Sequence, residues 1–234
     1  MTKRPVCAVV GIGPGNGAAF ARRFDRDGYA VALLARTTTL STKLAGELAE
    51  ARAYACDVSD AAAVRHTFAA ISGELGDPEV VIYNAGSGVW GSFDDVTADQ
   101  LEAAWRVNTL GAFHVAKQVV PAMQRVGRGC VLIVGATASR RGSAKAAAFA
   151  QSKAAQRTLA ESLARHLWPA GIHVAVIVVD GVVDLPRTRA RMPDKPDAFF
   201  VAPDDVAATA SFLAAQPRSA WTFELEARPF GETW

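Results

Sequence analysis

Short, unbroken apolar runs alternate along the chain with longer segments whose apolar positions return every three or four residues. VCAVVG (6–11), AVALLA (30–35), EVVIYN (79–84), CVLIVG (130–135) and HVAVIVV (173–179) read as strands. They are apolar on consecutive rather than alternate positions, so both faces of their sheet are predicted to be covered. ARAYACD (51–57) is a weaker strand suited to a sheet edge, and AWTFELEA (220–227) alternates as a last strand would. Helical segments lie between them at 16–27, 39–50, 60–75, 98–125 and 144–168. A further helix at 203–216 opens with Pro and two acids, as an N-terminus should. This order predicts one α/β domain over 1–234: a doubly wound, mostly parallel sheet of about seven strands with helices on both faces.

One segment breaks the pattern. DLPRTRARMPDKPDAFF (184–200) carries prolines at 186, 193 and 196 and arginines at 187, 189 and 191. It reads either as an irregular connection or as a lid over a site at the C-terminal edge of the sheet.

Composition narrows the function classes. Half of the 234 residues are hydrophobic, and 25 basic residues stand against 23 acidic ones for a net charge of +2. That balance offers no electrostatic case for nucleic acid or an anionic membrane. The apolar run near the N-terminus is too short for an export signal, and no run approaches a membrane span. Cys7, Cys56 and Cys130 are scattered and odd in number, which argues for buried thiols in a reducing, cytoplasmic setting. The four histidines (66, 114, 166 and 173) lack metal-ligand spacing, so no metal site is expected.

VVGIGPGNGAAF follows the first strand and opens the first helix. Such a loop lets backbone approach a pyrophosphate and aims helix N–H groups at its charge. The G-x-G-x-x-G spacing fails because position 16 is Asn; Gly11, Gly15 and Gly17 instead make G-x-x-x-G-x-G. The second strand ends in LLAR, with no acid to take a ribose 2′-hydroxyl. Arg36 stands there instead, and a guanidinium fork suits a 2′-phosphate. NADP(H) is therefore expected ahead of NAD(H), the bland alternative being a solvated surface arginine.

With the residues that follow, these positions resemble the short-chain dehydrogenase/reductase family over nearly the whole chain, which implies a Rossmann-type fold. The family's T-G-x-x-x-G-x-G appears with Val10 for its Thr. Asp57 and Val58 match the adenine-side acid and its neighbour. Asn84-Ala85-Gly86 is the family's N-A-G after the fourth strand. Asn108 matches the helix asparagine that in the family helps to hold a proton-relay water. By the same resemblance Gly11, Gly15, Asn16, Gly17, Arg36, Asp57, Val58, Asn84, Ala85, Gly86, Lys153 and Val183 are the cofactor-binding candidates.

The chain departs from the family where the chemistry is done. The family's Tyr-x-x-x-Lys reads Phe149-x-x-x-Lys153, and its serine after the fifth strand is Ala136. In the family the tyrosine gives the proton, the serine holds the carbonyl oxygen, and the lysine lowers the tyrosine pKa and binds the nicotinamide ribose. Lys153 and Asn108 remain as the catalytic-site candidates. Thr137 and Asp180 are the candidate substitutes for the missing acid, with Ser139, Ser143, Ser152 and Tyr83 as weaker hydroxyls. Asp180 replaces the family's Pro and reads as a turn cap or as an acid whose pKa burial would raise. Leu185 replaces the Thr that meets the carboxamide.

Two function classes follow. One is an NADP(H)-dependent oxidoreductase with weak or unusual carbonyl activity, or one acting on an activated C=C or C=N bond. The other is a non-catalytic NADP(H)-binding sensor or partner subunit. The resemblance also implies a homodimer or homotetramer formed through the helices at 98–125 and 144–168. The tail 219–234 is expected as a strand plus an arm.

Overall fold

The fold is taken from a computed structural model that describes residues 3–232. Seven parallel strands form one sheet: β1 (Val6–Val10), β2 (Ala30–Ala35), β3 (Ala51–Ala55), β4 (Pro78–Tyr83), β5 (Gly129–Ala136), β6 (Ile172–Val179) and, last in the sheet, Glu224–Ala227. With the short pair β7 (Val182–Val183) and β8 (Phe200–Val201) counted in chain order, that last strand is β9. The sheet order is β3-β2-β1-β4-β5-β6-β9. The chain therefore winds one way from β1 through β3 and the other way from β4 onward. The crevice between β1 and β4 is the switch point where ligands bind in such sheets.

Burial follows position in the sheet. β1 and all eight residues of β6 are buried, because their β-branched side chains are covered on both faces. The edge strands β3 and β9 are only partly buried. One core holds Val10, Leu34, Tyr83 and Val176; the opposite one holds Phe20, Phe24, Ile82 and Leu132. Each fully buried Leu, Ile or Phe contributes about 1.5–3 kcal/mol. Cys7, Cys56 and Cys130 are buried free thiols.

The helices are α1 (Asn16–Arg26), α2 (Thr39–Ala45), α3 (Ala61–Glu74), α4 (Ala98–Trp105), α5 (Gly111–Val126), α6 (Ala147–Leu167), α7 (Pro186–Arg191) and α8 (Pro203–Ala214). Three features of the chain differ from the pattern-based expectation. α2 stops at Gly46, a poor helix former, well before residue 50. The span 98–125 is two helices separated by a π-helical turn, Arg106–Leu110. Such a turn frees backbone groups that need other partners. The Tyr83 hydroxyl donates to Val107 O at 2.5 Å, and Gln156 Nε2 donates to Asn108 O at 2.6 Å. A Cβ on Gly111 would lie 2.3 Å from that Tyr83 oxygen, so glycine is required there. Third, the tail forms a strand only over Glu224–Ala227, and residues 233–234 of the expected arm lie outside the described residues.

Segment 184–200 is built rather than irregular. β7 and β8 pair in parallel and clamp its two ends, with Asp184 N donating to Val201 O at 2.8 Å. Between them, α7 is stapled by Arg189. Its guanidinium grips both Asp184 oxygens at 2.7 and 2.8 Å, reaches Asp197 at 2.5 Å and stacks 4.1 Å from the Phe200 ring centroid. Among the described residues no helix is long and apolar enough to cross a membrane.

Candidate functional site

Two cavities open at the C-terminal ends of the strands and meet at Asn84, Gly86 and Arg187, which line both. The switch point fixes their floor. Asn84 N donates to Val10 O at 2.8 Å, and its Nδ2 donates to Gly11 O at 2.7 Å. Gly11 has φ +101°, and a Cβ there would sit 2.4 Å from Ala85 N. A Cβ on Gly17 would sit 2.6 Å from Gly11 O. These close approaches, rather than ligand contact, explain both glycines.

The smaller cavity, about 350 Å³, is lined by Gly11, Gly13, Arg36, Asp57, Val58 and Ala85 among others. Arg36 is exposed and forms no ion pair among the described residues. Asp57 Oδ1 accepts from the Ser59 hydroxyl at 2.7 Å and from Ser59 N at 2.9 Å. Those bonds hold its carboxyl below the usual carboxylate range, with a smaller contribution from the Arg36 charge. Gly15 and Gly17 do not line this cavity; Gly15 lies under the Leu185 side chain, 2.9 Å from where a Cβ would stand.

The larger cavity, about 550 Å³, is lined by Asn16, Lys153, Phe149, Ala136 and Val183 among others. Phe149 and Lys153 thus share one wall, as their spacing on α6 predicts. Lys153 is only 6% exposed. Its Nζ donates to Val134 O at 2.9 Å and to Gln156 Oε1 at 3.0 Å. Burial draws its pKa down to about 8. Asn108 is fully buried and does not line the cavity. Its side chain clasps Ser87, accepting from Ser87 N and donating to Ser87 O at 3.1 Å each, and donates to Ser152 Oγ at 2.8 Å.

The substitute acids fare poorly. Asp180 lies outside the large cavity, in a space of about 260 Å³ shared with Arg140, Arg141 and Arg228. It takes hydrogen bonds from the Thr137 hydroxyl and from Arg228, and Arg141 stands 3.9 Å away. Asp180 is thus paired with Thr137 and Arg228 and set apart from the Phe149 wall. Thr137 touches the large cavity, yet its proton is spent on Asp180. Ser139 Oγ accepts from Ala136 N at 3.1 Å, Ser152 donates to Phe149 O at 2.9 Å, and Tyr83 is in the core. Ser143 is the remaining hydroxyl on the cavity wall.

Three residues escaped sequence reasoning. Gln156 bridges Asn108 O and Lys153 Nζ, and nothing in the sequence distinguishes it from any other polar helix residue. Arg187, on α7, lines both cavities. Trp90 packs against Phe149 with ring centroids 4.9 Å apart and planes tilted by 38°, from a loop held to the start of α6 by Gly91 N donating to Lys145 O at 3.0 Å.

Comparison with known proteins agrees with this architecture. The short chain dehydrogenase family matches residues 5–195. The 3-oxoacyl-[acyl-carrier-protein] reductase MabA of Mycobacterium tuberculosis (strain ATCC 25618 / H37Rv) is 32% identical over 219 residues, covering 90% of this chain and 85% of that protein. The cyclic-di-GMP-binding biofilm dispersal mediator protein of Escherichia coli (strain K12) is 31% identical over 186 residues, covering 79% and 76%. The alcohol dehydrogenase from the archaeon Thermococcus sibiricus, complexed with 5-hydroxy-NADP, superposes with a TM-score of 0.87 at 26% identity, covering 98% of each chain. A metagenomic short-chain oxidoreductase in complex with NADP gives 0.85 at 25% identity, covering 98% of this chain and 99% of that one.

Proposed function

The chain belongs to the short-chain dehydrogenase family, and from that premise we propose that it is an NADP(H)-dependent oxidoreductase with little activity on simple ketones and aldehydes. One observation carries the reading: Lys153 keeps its place on the cavity wall while Phe149 and Ala136 stand where the family has its hydroxyls.

The residues present fit a dinucleotide. Oδ1 of Asn16 is buried without a hydrogen-bond partner among the described residues. A Cβ on Gly13 would meet nothing within 4 Å, so that backbone is open to a close ligand. α1 starts with no side-chain cap and no acid in its first turn, and with Ala18 N donating to Gly13 O at 3.0 Å it leaves the Asn16 and Gly17 N–H groups for an anion. Arg36 would hold a 2′-phosphate, Asp57 and Val58 the adenine side, and Lys153 the nicotinamide ribose. Gly11, Gly15 and Gly17 shape the loop, Asn84, Ala85 and Gly86 the junction, and Val183 offers backbone to the carboxamide. When bound, the cofactor supplies a hydride. The relatives solved with NADP or 5-hydroxy-NADP support the choice of nicotinamide cofactor.

Chemistry on an isolated carbonyl needs a donor at the oxygen. A positioned acid is worth about 10²–10⁴-fold, and an oxyanion donor about 10²–10³-fold. This chain has neither at the family positions. Segment 184–200, clamped at both ends, serves as the lid. The second reading, a non-catalytic nicotinamide-binding protein, is favoured by the loss of both hydroxyls. Calorimetric titration tests the cofactor: tighter binding of NADP than NAD is expected, and the reverse order would defeat it. The outer faces of α5 and α6 are proposed to pair two copies; sedimentation at micromolar concentration should give more than the 24.7 kDa monomer.

A further inference from the structure

The lining of the large cavity brings unlike groups together. Some are aromatic: the Trp90 and Phe149 rings are tilted at 38° with their centroids 4.9 Å apart, and Trp90 remains 64% exposed. Others are cationic or polar: Arg141, Ser143 and Arg187. Arg141 is loosely held, because its side chain is 60% exposed and its acidic neighbour Asp180 is already taken by Arg228. Arg187 forms no ion pair among the described residues. Among the described residues no carboxylate lines this cavity.

A flat ring is what exposed aromatic lining of this kind holds, by stacking. An arginine in the same cavity selects a carboxylate, which a guanidinium meets with two parallel hydrogen bonds. We propose that this cavity binds a planar, conjugated carbonyl compound bearing a carboxylate, with its ring against Trp90 and its acid toward Arg141. The proposal rests on the oxidoreductase reading and names its substrate class.

Conjugation also accounts for the missing hydroxyls. The hydride supplied when the cofactor is bound adds to the β-carbon of a C=C–C=O unit. The π electron pair moves to the carbonyl oxygen as a delocalised enolate, and water then protonates the α-carbon. The acceptor gains two electrons and two hydrogens, one from the cofactor, which is oxidised, and one from water. No full alkoxide forms, so the demand that a tyrosine and a serine meet elsewhere in the family is much reduced. Phe149 contributes a ring face where a phenol would contribute a proton.

The test uses the full chain and three probes. trans-3-Benzoylacrylate has the ring, the conjugated C=C and the carboxylate; its methyl ester lacks the charge; 3-benzoylpropionate lacks the C=C. Binding of the probes is read by calorimetry with NADP⁺ present, which does not depend on the indole that Trp90→Ala removes, and NADPH binding is measured separately by the same method. Both acids are expected to bind, the ester and the Arg141→Ala variant about tenfold more weakly, and Trp90→Ala more weakly still. With NADPH, benzoylacrylate should be consumed at its C=C while the ketone of benzoylpropionate survives. Equal binding of acid and ester, unchanged binding in Trp90→Ala, or reduction of benzoylpropionate as fast as benzoylacrylate would overturn the assignment. Failure of NADPH itself to bind, with the acids still bound through Trp90 and Arg141, would instead remove the cofactor reading and leave the ligand class standing.

Discussion

The two cavities meeting at Asn84 and Gly86 differ in what their polar groups have left to give. On the Arg36 side the guanidinium is free, the adjoining glycine backbone is open, and Asp57 is already held ionised by Ser59. On the Phe149 side two hydroxyls already donate, Thr137 to Asp180 and Ser152 to Phe149 O, while Ser139 accepts from Ala136 N. The first region is equipped to bind and the second is poor in free hydroxyl donors. A family scaffold can keep the one and lose the other because the two sets of residues sit on different elements. Arg36 and Asp57 follow β2 and β3, whereas Ala136 and Phe149 belong to β5 and α6.

The largest effect is expected from restoring what the second region lacks. The double change Ala136→Ser with Phe149→Tyr should raise reduction of a simple aldehyde by about 10²-fold or more, with Phe149→Tyr alone giving less. Steady-state kinetics would check it, and no gain despite unchanged NADPH binding would mean that Trp90 and Gln156 have rebuilt the site too far. In the first region, Arg36→Ala should weaken NADP binding about tenfold or more while leaving NAD almost unaffected. Equal loss for both cofactors in calorimetry would assign Arg36 a structural role.

Between the regions lies Lys153, and two smaller effects probe it. Gln156→Leu leaves the buried Asn108 carbonyl and the Lys153 ammonium each short of a partner, which should cost about 1–3 kcal/mol in denaturant unfolding. The pH dependence has a definite sign. Burial lowers the folded-state pKa of Lys153 from 10.5 to about 8, so the unfolded chain holds this proton more tightly. Its contribution to stability therefore rises with pH between about 8 and 10.5 and is least favourable below 8. Dinucleotide affinity should move the other way, falling as the charge is lost near pH 8. Lys153→Met should flatten the affinity profile across pH 7–9 in calorimetry.

How much of this could be read from the chain depended on the range of the interaction. Consecutive apolar runs gave the strands, because a strand covered on both faces needs them. The glycine loop, Arg36, Phe149 and Lys153 were legible because each sits at a fixed offset from an element end. The two-residue pair β7 and β8 carries no periodic signal, and the π-turn at Asn108 hides inside an otherwise helical pattern. Trp90 reaches Phe149 only through the tertiary path of its loop, and Gln156 looks like any polar residue on a helix until Asn108 O is brought beside it. The pairing of Asp180 was hidden for the same reason: its partner Arg228 is far away in sequence and next to it in space.

The central claim is that this chain binds NADPH yet hands little of it to an ordinary carbonyl. Stopped-flow oxidation of bound NADPH against simple ketones and aldehydes tests it most directly. The account predicts turnover far below the usual enzymatic range of about 1–10³ per second, with NADPH demonstrably bound. Turnover within that range would contradict it and would require a proton donor on the cavity wall, with Ser143 and Lys153 the first to replace.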